Sequence, residues 1–316
     1  MQLEFIEKKL KTPKYDKENL KSKAEEMIKE RLGWYGSCSS STPRMPAIME
    51  TLYEAAISDS VDVIKATLEN PTLPPRSMKF ILDYAFEGEC KGYLLHIAAA
   101  KGSVETVRYL VKLDGINFTD VNADGYNPLH LLIISNKVKG EALDKIVSDM
   151  LNKCPDLLDT VDYQGNNLMN LAAFANAASL CRILVEKFGM DATFKDPLWT
   201  AAQYACKEAF KEILSMDPSL EWAHGGDNTC LHFAVKNRWF ELLDELVNRK
   251  WEMLEMKNCD GDTPLMLAVK EDLLDACEIL IKHVYEDNDV WTDVLDAAAE
   301  FGTERIRQWV DKAFIN

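Results

Sequence analysis

DGDTPLMLAVKEDLLDACEILI, residues 260–281, is the stretch that decides the fold. Gly261 can take the positive φ that a tight turn requires. Thr263 is placed to cap a new helix, and Pro264 sits at its first position, where no N–H is needed. Small and apolar residues follow, and a second helix then carries the stripe ending in Leu280 and Ile281. The phrase recurs in both directions along the chain. Upstream it reads TLYEAAISDSVDVIKATL (51–68), GYLLHIAAAKGSVETVRYLV (92–111), DGYNPLHLLI (124–133), GNNLMNLAAFANAASLCRILV (165–185), DPLWTAAQYACKEAFKEIL (196–214) and NTCLHFAVKNRWFELLDELV (228–247). Downstream it reads VLDAAAEFGTERIRQWV (294–310). Aligned on one apolar position, the copies fall at Leu52, Leu95, Leu129, Met169, Leu198, Leu231, Leu265 and Leu295, at intervals of 43, 34, 40, 29, 33, 34 and 30 residues. Each copy reads as two helices whose apolar face only a neighbouring copy can cover, so the units must stack. Paired alanines such as Ala98-Ala99 and Ala201-Ala202 let neighbouring helices approach closely.

This pattern resembles the ankyrin family, whose repeat is about 33 residues with a T-P-L-H-x-A signature. The resemblance covers residues 47–316 in about eight repeats, the first and last atypical. It implies an all-α solenoid of stacked helix–turn–helix units with short β-hairpin fingers. Three departures are visible. An insert near 70–90 carries Pro71, Pro74 and Pro75 and then an apolar segment that predicts an extra helix. The third repeat is extended near 134–145, around Lys137–Leu143, which predicts a longer loop between its helices. The fifth has Phe194-Lys195-Asp196-Pro197 in place of the Gly-x-Thr turn, which predicts a stunted finger.

Residues 1–46 lie outside the array and carry ten Lys/Arg against seven Asp/Glu, leaving 26 against 45 for the remainder. Leu20, Ala24, Met27, Ile28 and Leu32 recur at helical spacing, with Asp16 as cap and Gly33 as stop, followed by a Gly/Ser/Pro linker to Pro46. Two readings stand: a helix capping the first repeat, or a basic arm folding across the acidic body.

Net charge is −16, and phosphate neutralisation needs clustered cations, so nucleic-acid binding is not expected. The acidity reads as a solvated outer face that favours a basic partner. No apolar run approaches the roughly 20 residues of a membrane helix, and no secretory signal opens the chain. Eight scattered cysteines without a CxxC pair suit free thiols in a cytoplasmic or nuclear setting. Of five histidines, His96, His130 and His232 share one slot of the repeat; the resemblance implies that this imidazole bonds backbone near the turn. His224 and His283 have no evident partner, Asp287-Asn288-Asp289 lacks the glycine and closing Glu of a calcium loop, and Gly225-Gly226 suits a finger better than a phosphate cradle. No catalytic, cofactor or metal site is expected.

The resemblance also locates a partner site on the concave side, built from the fingers and the exposed part of each first helix. The corresponding positions are Asp124 and Tyr126; Tyr163, Gln164, Asn166 and Phe174; Gln203 and Tyr204; Asn228, Lys236 and Asn237; and Asp260, Asp262, Lys270 and Glu271. Tyr126, Tyr163, Phe174 and Tyr204 predict a central aromatic patch. The expected function is a monomeric, non-catalytic scaffold or adaptor for a protein partner. The alternatives are a pathogen-type effector or the regulatory subunit of an enzyme. Leu52-Tyr53-Glu54-Ala55-Ala56 and Leu94–Ala100 also resemble plant-type ankyrin proteins, whose C-terminal transmembrane helices are not expected here.

Overall fold

The computed structural model describes residues 45–70, 77–86, 92–192, 196–216, 228–283 and 290–315. The expected arm helix over Asp16–Leu32, the Pro71/Pro74/Pro75 insert, Phe194-Lys195, His224, Gly225-Gly226 and Asp287–Asp289 lie outside them. The chain divides into two units, Met1–Met190 and Asp191–Asn316, with the division inside the repeat array.

In unit 1 the helices are α1 (Met45–Ile57), α2 (Val61–Leu68), α3 (Ser77–Leu82), α4 (Leu94–Lys101), α5 (Val104–Lys112), α6 (Pro128–Ile134), α7 (Gly140–Lys153), α8 (Leu168–Phe174) and α9 (Ala178–Glu186). Helix α3 is the extra helix of the insert. The rest pair as four repeats, with α4 packed between α1 and α6, and α5 against α2 and α7. In unit 2 the pairs are α10 (Pro197–Gln203) with α11 (Lys207–Met216), α12 (Cys230–Lys236) with α13 (Phe240–Arg249), α14 (Pro264–Lys270) with α15 (Leu274–Leu280), and α16 (Val290–Phe301) with α17 (Glu304–Ile315). Within unit 2, α12 packs on α10 and α14, and α13 on α15. First helices stack on first helices because Ala98, Ala99, Ala172, Ala173, Ala201 and Ala202 are fully buried at the crossings. In the last repeat Ala299, Leu295 and Phe301 face solvent, with no later repeat among the described residues to cover them.

The phase of the repeats is written in the backbone. Seven residues after the aligned apolar position the chain turns left-handed at Asp59, Gly102, Asn136, Asn176, Ala205, Arg238 and Asp272. This single αL residue closes each of these seven first helices and reverses the chain. Repeat two uses glycine there for a specific reason: a Cβ on Gly102 would fall 2.5 Å from Cβ of Lys137 in the next repeat. The extension of repeat three thus presses on repeat two. It lengthens the connection only slightly, since most of its residues go into the 14-residue helix α7 rather than a loop, with Val138 buried beneath the turn.

Polar straps tie neighbours together. Asp59 accepts the backbone N–H groups of Thr106 and Glu105 at the start of α5. Lys153 Nζ donates to the carbonyls of Val111 and Leu113 at 2.9 and 2.7 Å, and Arg249 Nη1 donates to that of Leu214 at 2.8 Å. Both cations sit where the preceding second helix ends and its carbonyls are unpaired.

Candidate partner-binding face

Three fingers begin with a buried Asn or Asp, seven residues before the aligned apolar position: Asn122, Asp162 and Asn258. The Asn258 side chain accepts the N–H groups of Asp260 and Asp262, both at 3.0 Å, while its own N–H donates to the Asp262 carbonyl. Asn122 does the same for Asp124 and Tyr126, and Asp162 for Gln164 and Asn166. The glycine N–H three residues on, of Gly125, Gly165 or Gly261, donates back to the anchor's carbonyl, with φ near +80° at all three glycines. No strand is formed among the described residues, so these expected hairpins are single hydrogen-bonded turns. One side chain does the work of a ladder, by the Asx-turn chemistry of short polar residues.

The histidines hold the base of the fingers. Backbone N–H of Tyr93 donates to Nδ1 of His96, and that of Thr229 to Nδ1 of His232. An N–H can only donate, so the ring proton is on Nε2, which donates to the carbonyl of Asp120 at 3.0 Å and of Asp262 at 2.8 Å. His130 departs from the pattern: its Nε2 meets Thr160 Oγ1 at 3.2 Å, and its buried Nδ1 has no partner. Burial pushes His96 and His130 down to about 4 and also lowers His232. All three are structural braces.

In unit 1 the structure brings Tyr126 and Tyr163 together. Their rings meet edge to face with centroids 5.3 Å apart, and Tyr163 is 62% exposed. Gln164 Nε2 donates to the Tyr163 hydroxyl at 3.0 Å, and Asn166 donates to Asp162 and Gln164. Asn166 is therefore committed to bracing its own finger. A Cβ on Gly125 would touch Cβ of Tyr163 at 3.0 Å, so glycine lets the two fingers come this close. Burial, then the neighbouring Tyr163, Asp162 and Asp124, pushes the Tyr126 hydroxyl well above its ordinary pKa. Asp124 is exposed, whereas half-buried Phe174 ends α8, at the other end of that helix from the finger. The sequence reading missed Tyr93, Tyr84, Asp83 and Asp120 beside this group. Tyr93 is raised first by the Asp120 carboxylate, then by burial and Asp83, and Tyr84 is exposed at the neighbouring position. Tyr93 and His96 rings lie 5.3 Å apart. The signal was present as Tyr93 one residue before α4, in the N-cap slot.

Unit 2 treats the same positions differently. Asp262 is buried and ion-paired with Lys270, whose ammonium also lies 4.8 Å from the Phe301 ring centroid. Asn228 accepts from Asn258, and Asn237 donates to the Ala202 carbonyl at 2.7 Å. Asp260, Lys236, Gln203, Glu271 and Tyr204 are exposed. Gln203, Lys236 and Lys270 are the last residues of α10, α12 and α14, and Tyr204, Asn237 and Glu271 their caps. Each such seven-residue helix holds them about 10 Å from its finger. Trp239 packs tilted against Phe210 in the core and Trp199 meets Phe233 edge to face, while Trp251 is exposed.

The six described cysteines are free; burial pushes the Cys230 thiol well up and Cys277 to about 12, so both stay protonated. Among the described residues no three His, Cys, Asp or Glu gather as metal ligands, and no helix is long and apolar enough to cross a membrane.

The family model described as Ankyrin repeats (3 copies) matches residues 52–144 and 198–292. The chain belongs to the ankyrin-repeat family. It is similar to the human ASB11 ankyrin repeat domain, with a TM-score of 0.57 and 16% identity over 75% of this chain and 99% of that one. It is likewise similar to the ankyrin repeat domain of Bcl-3, with a TM-score of 0.53 and 18% identity over 77% of this chain and 99% of that one. At such identity these structures speak for the fold. Among curated proteins it is similar to a probable 26S proteasome regulatory subunit, p28, of Saccharomyces cerevisiae, 26% identical over 49% of this chain and 73% of that protein. It is also similar to alpha-latroinsectotoxin-Lt1a of Latrodectus tredecimguttatus, 25% identical over 60% of this chain. The match spans only 14% of the toxin's length. Ankyrin repeats are protein–protein interaction modules.

Proposed function

We propose that this chain is a non-catalytic adaptor whose unit 1 receives a protein partner along the finger edge carrying Asp124, Tyr126, Tyr163 and Gln164. One observation carries the reading. Tyr163 keeps most of its ring in solvent while Tyr126, Gln164 and the Asp162-anchored turn hold it in place. An exposed, pre-ordered aromatic loses little conformational freedom on binding, which is what makes tyrosine a good interface anchor. The surrounding carboxylates fit a basic partner in a cytoplasmic or nuclear setting. The likeness to a proteasomal regulatory subunit supports a place within a larger assembly. The adaptor itself is taken as a monomer.

The test is capture from a source-cell lysate by the wild-type chain and by a Tyr126→Ala/Tyr163→Ala variant, after circular dichroism has shown equal helicity. Proteins retained by the wild type and lost by the variant support the reading. Equal retention would move the site to another face.

A further inference from the structure

The edge of unit 1 is more than aromatic. Tyr93, Tyr126 and Tyr163 follow one another across it, with the buried His96 ring beside Tyr93 and the Tyr126 and Tyr163 rings in contact. Carboxylates lie beside Tyr93 and Tyr126, and the backbone carbonyl of Asp120 is held by His96. Asp120 and Asp83 act on Tyr93, and Asp124 and Asp162 on Tyr126. Asp162 is spoken for, with its oxygens accepting from the finger it anchors. Asp83, Asp120 and Asp124 are different: among the described residues no lysine or arginine pairs with them, and Asp83 and Asp124 are exposed. The contrast is Asp262 of unit 2, buried and already matched by Lys270 under an aromatic ring. That internal cluster shows the chemistry this edge lacks: a carboxylate and an aromatic face holding one cation.

We propose that the finger edge of unit 1 is built for a lysine- or arginine-bearing extended segment of its protein partner. One cationic side chain lies against the exposed Tyr163 ring with its charge at Asp124, and another reaches Asp120 and Asp83 beside Tyr93. Aromatic rings attract a cation through their negative faces, and flanking carboxylates add charge-assisted hydrogen bonds. Like charges at Asp83, Asp120 and Asp124 turn an acidic segment away. This deepens the adaptor reading and rests on it.

The probe is a fluorescent peptide of about eight residues alternating arginine and glycine, with a citrulline counterpart that keeps shape and removes charge. Anisotropy titration of the full chain is expected to show saturable binding of the arginine peptide alone. Tyr163→Ala, at a position exposed enough to leave folding intact, should weaken it by about tenfold or more, and Tyr163→Phe should restore it. Asp120→Asn/Asp124→Asn should weaken it similarly, while Asp149→Asn/Asp156→Asn, the same charge removed elsewhere in unit 1, should change it by less than about twofold. Equal losses from both carboxylate pairs, indifference to Tyr163, or equal binding of the citrulline peptide would each overturn the inference in favour of bulk charge attraction. If lysate partners need Tyr163 while the arginine peptide ignores it, the basic-segment inference falls and the adaptor reading stands. If the peptide needs Tyr163 and the partners do not, the adaptor reading of this edge falls, and the inference with it.

Discussion

The finger at Asp162 and the finger at Asn258 share a backbone and differ in what they do with it. In both, a buried Asx accepts two N–H groups, a glycine sits near φ +80°, and the chain enters a first helix. In unit 1 the freed side chains point outward as Tyr163 and Gln164. In unit 2 Asp262 turns inward and is locked by Lys270. The same turn thus offers a surface in one place and a brace in the other. The Asx anchor satisfies the backbone by itself, leaving the intervening positions free to serve either end.

Acid should weaken the fingers of unit 1, and this is the largest effect expected. His96 and His130 are held near a pKa of about 4 by burial, against about 6.5 in an unfolded chain. Their contribution is complete above pH 6.5 and is lost as pH falls toward 4, because the unfolded chain takes up protons the native rings refuse. Each should cost about 2 kcal/mol between pH 6.5 and 5, seen as a lower urea midpoint by circular dichroism; His96→Gln should flatten that dependence.

Asn258→Ala should cost about 2–3 kcal/mol, since two N–H groups lose their acceptor in a buried turn. Asp162→Ala should cost as much in unit 1. Every tryptophan except Trp34 lies in unit 2, so fluorescence-detected unfolding should register Asn258→Ala, while circular dichroism registers both.

Lys270→Met should cost about 2 kcal/mol by leaving the Asp262 carboxylate buried without its cation. Removing the matching outward residue, Tyr163→Ala, should move stability by less than about 0.5 kcal/mol while abolishing partner capture. A brace and a surface separate in that pair of measurements. Arg238→Gly should raise stability by about 1 kcal/mol, because a non-glycine residue sits at φ 59° and its side chain makes no hydrogen bond to another described residue. The melting temperature reads that gain directly.

The repeat phase was legible because eight copies each place an apolar residue, a small pair and an amphipathic second helix in the same order. The extra helix at Ser77–Leu82 was legible for the same reason, as a local apolar run. The site was read less completely. Of the four aromatics expected as one patch, the structure puts Tyr126 and Tyr163 in contact on adjacent fingers, while Phe174 ends its helix away from them. Asp262 and Lys270 were expected at the partner surface, yet they neutralise one another eight residues apart. Tyr93, Asp83 and Asp120 were passed over because they come from different repeats and meet only when the units stack.

Sequence alone determined that the chain is a stack of helix pairs, because hydrophobic period, turn glycine and helix cap are local and repeat. It also determined the net charge of −16. Only tertiary structure decided which finger residues face outward, which carboxylates are matched by a cation and which histidine keeps an unpaired Nδ1. The contacts between repeats depend on residues 20 to 40 positions apart, such as His96 and Asp120 or Asn127 and Thr160, and no local pattern records a distance across a repeat boundary.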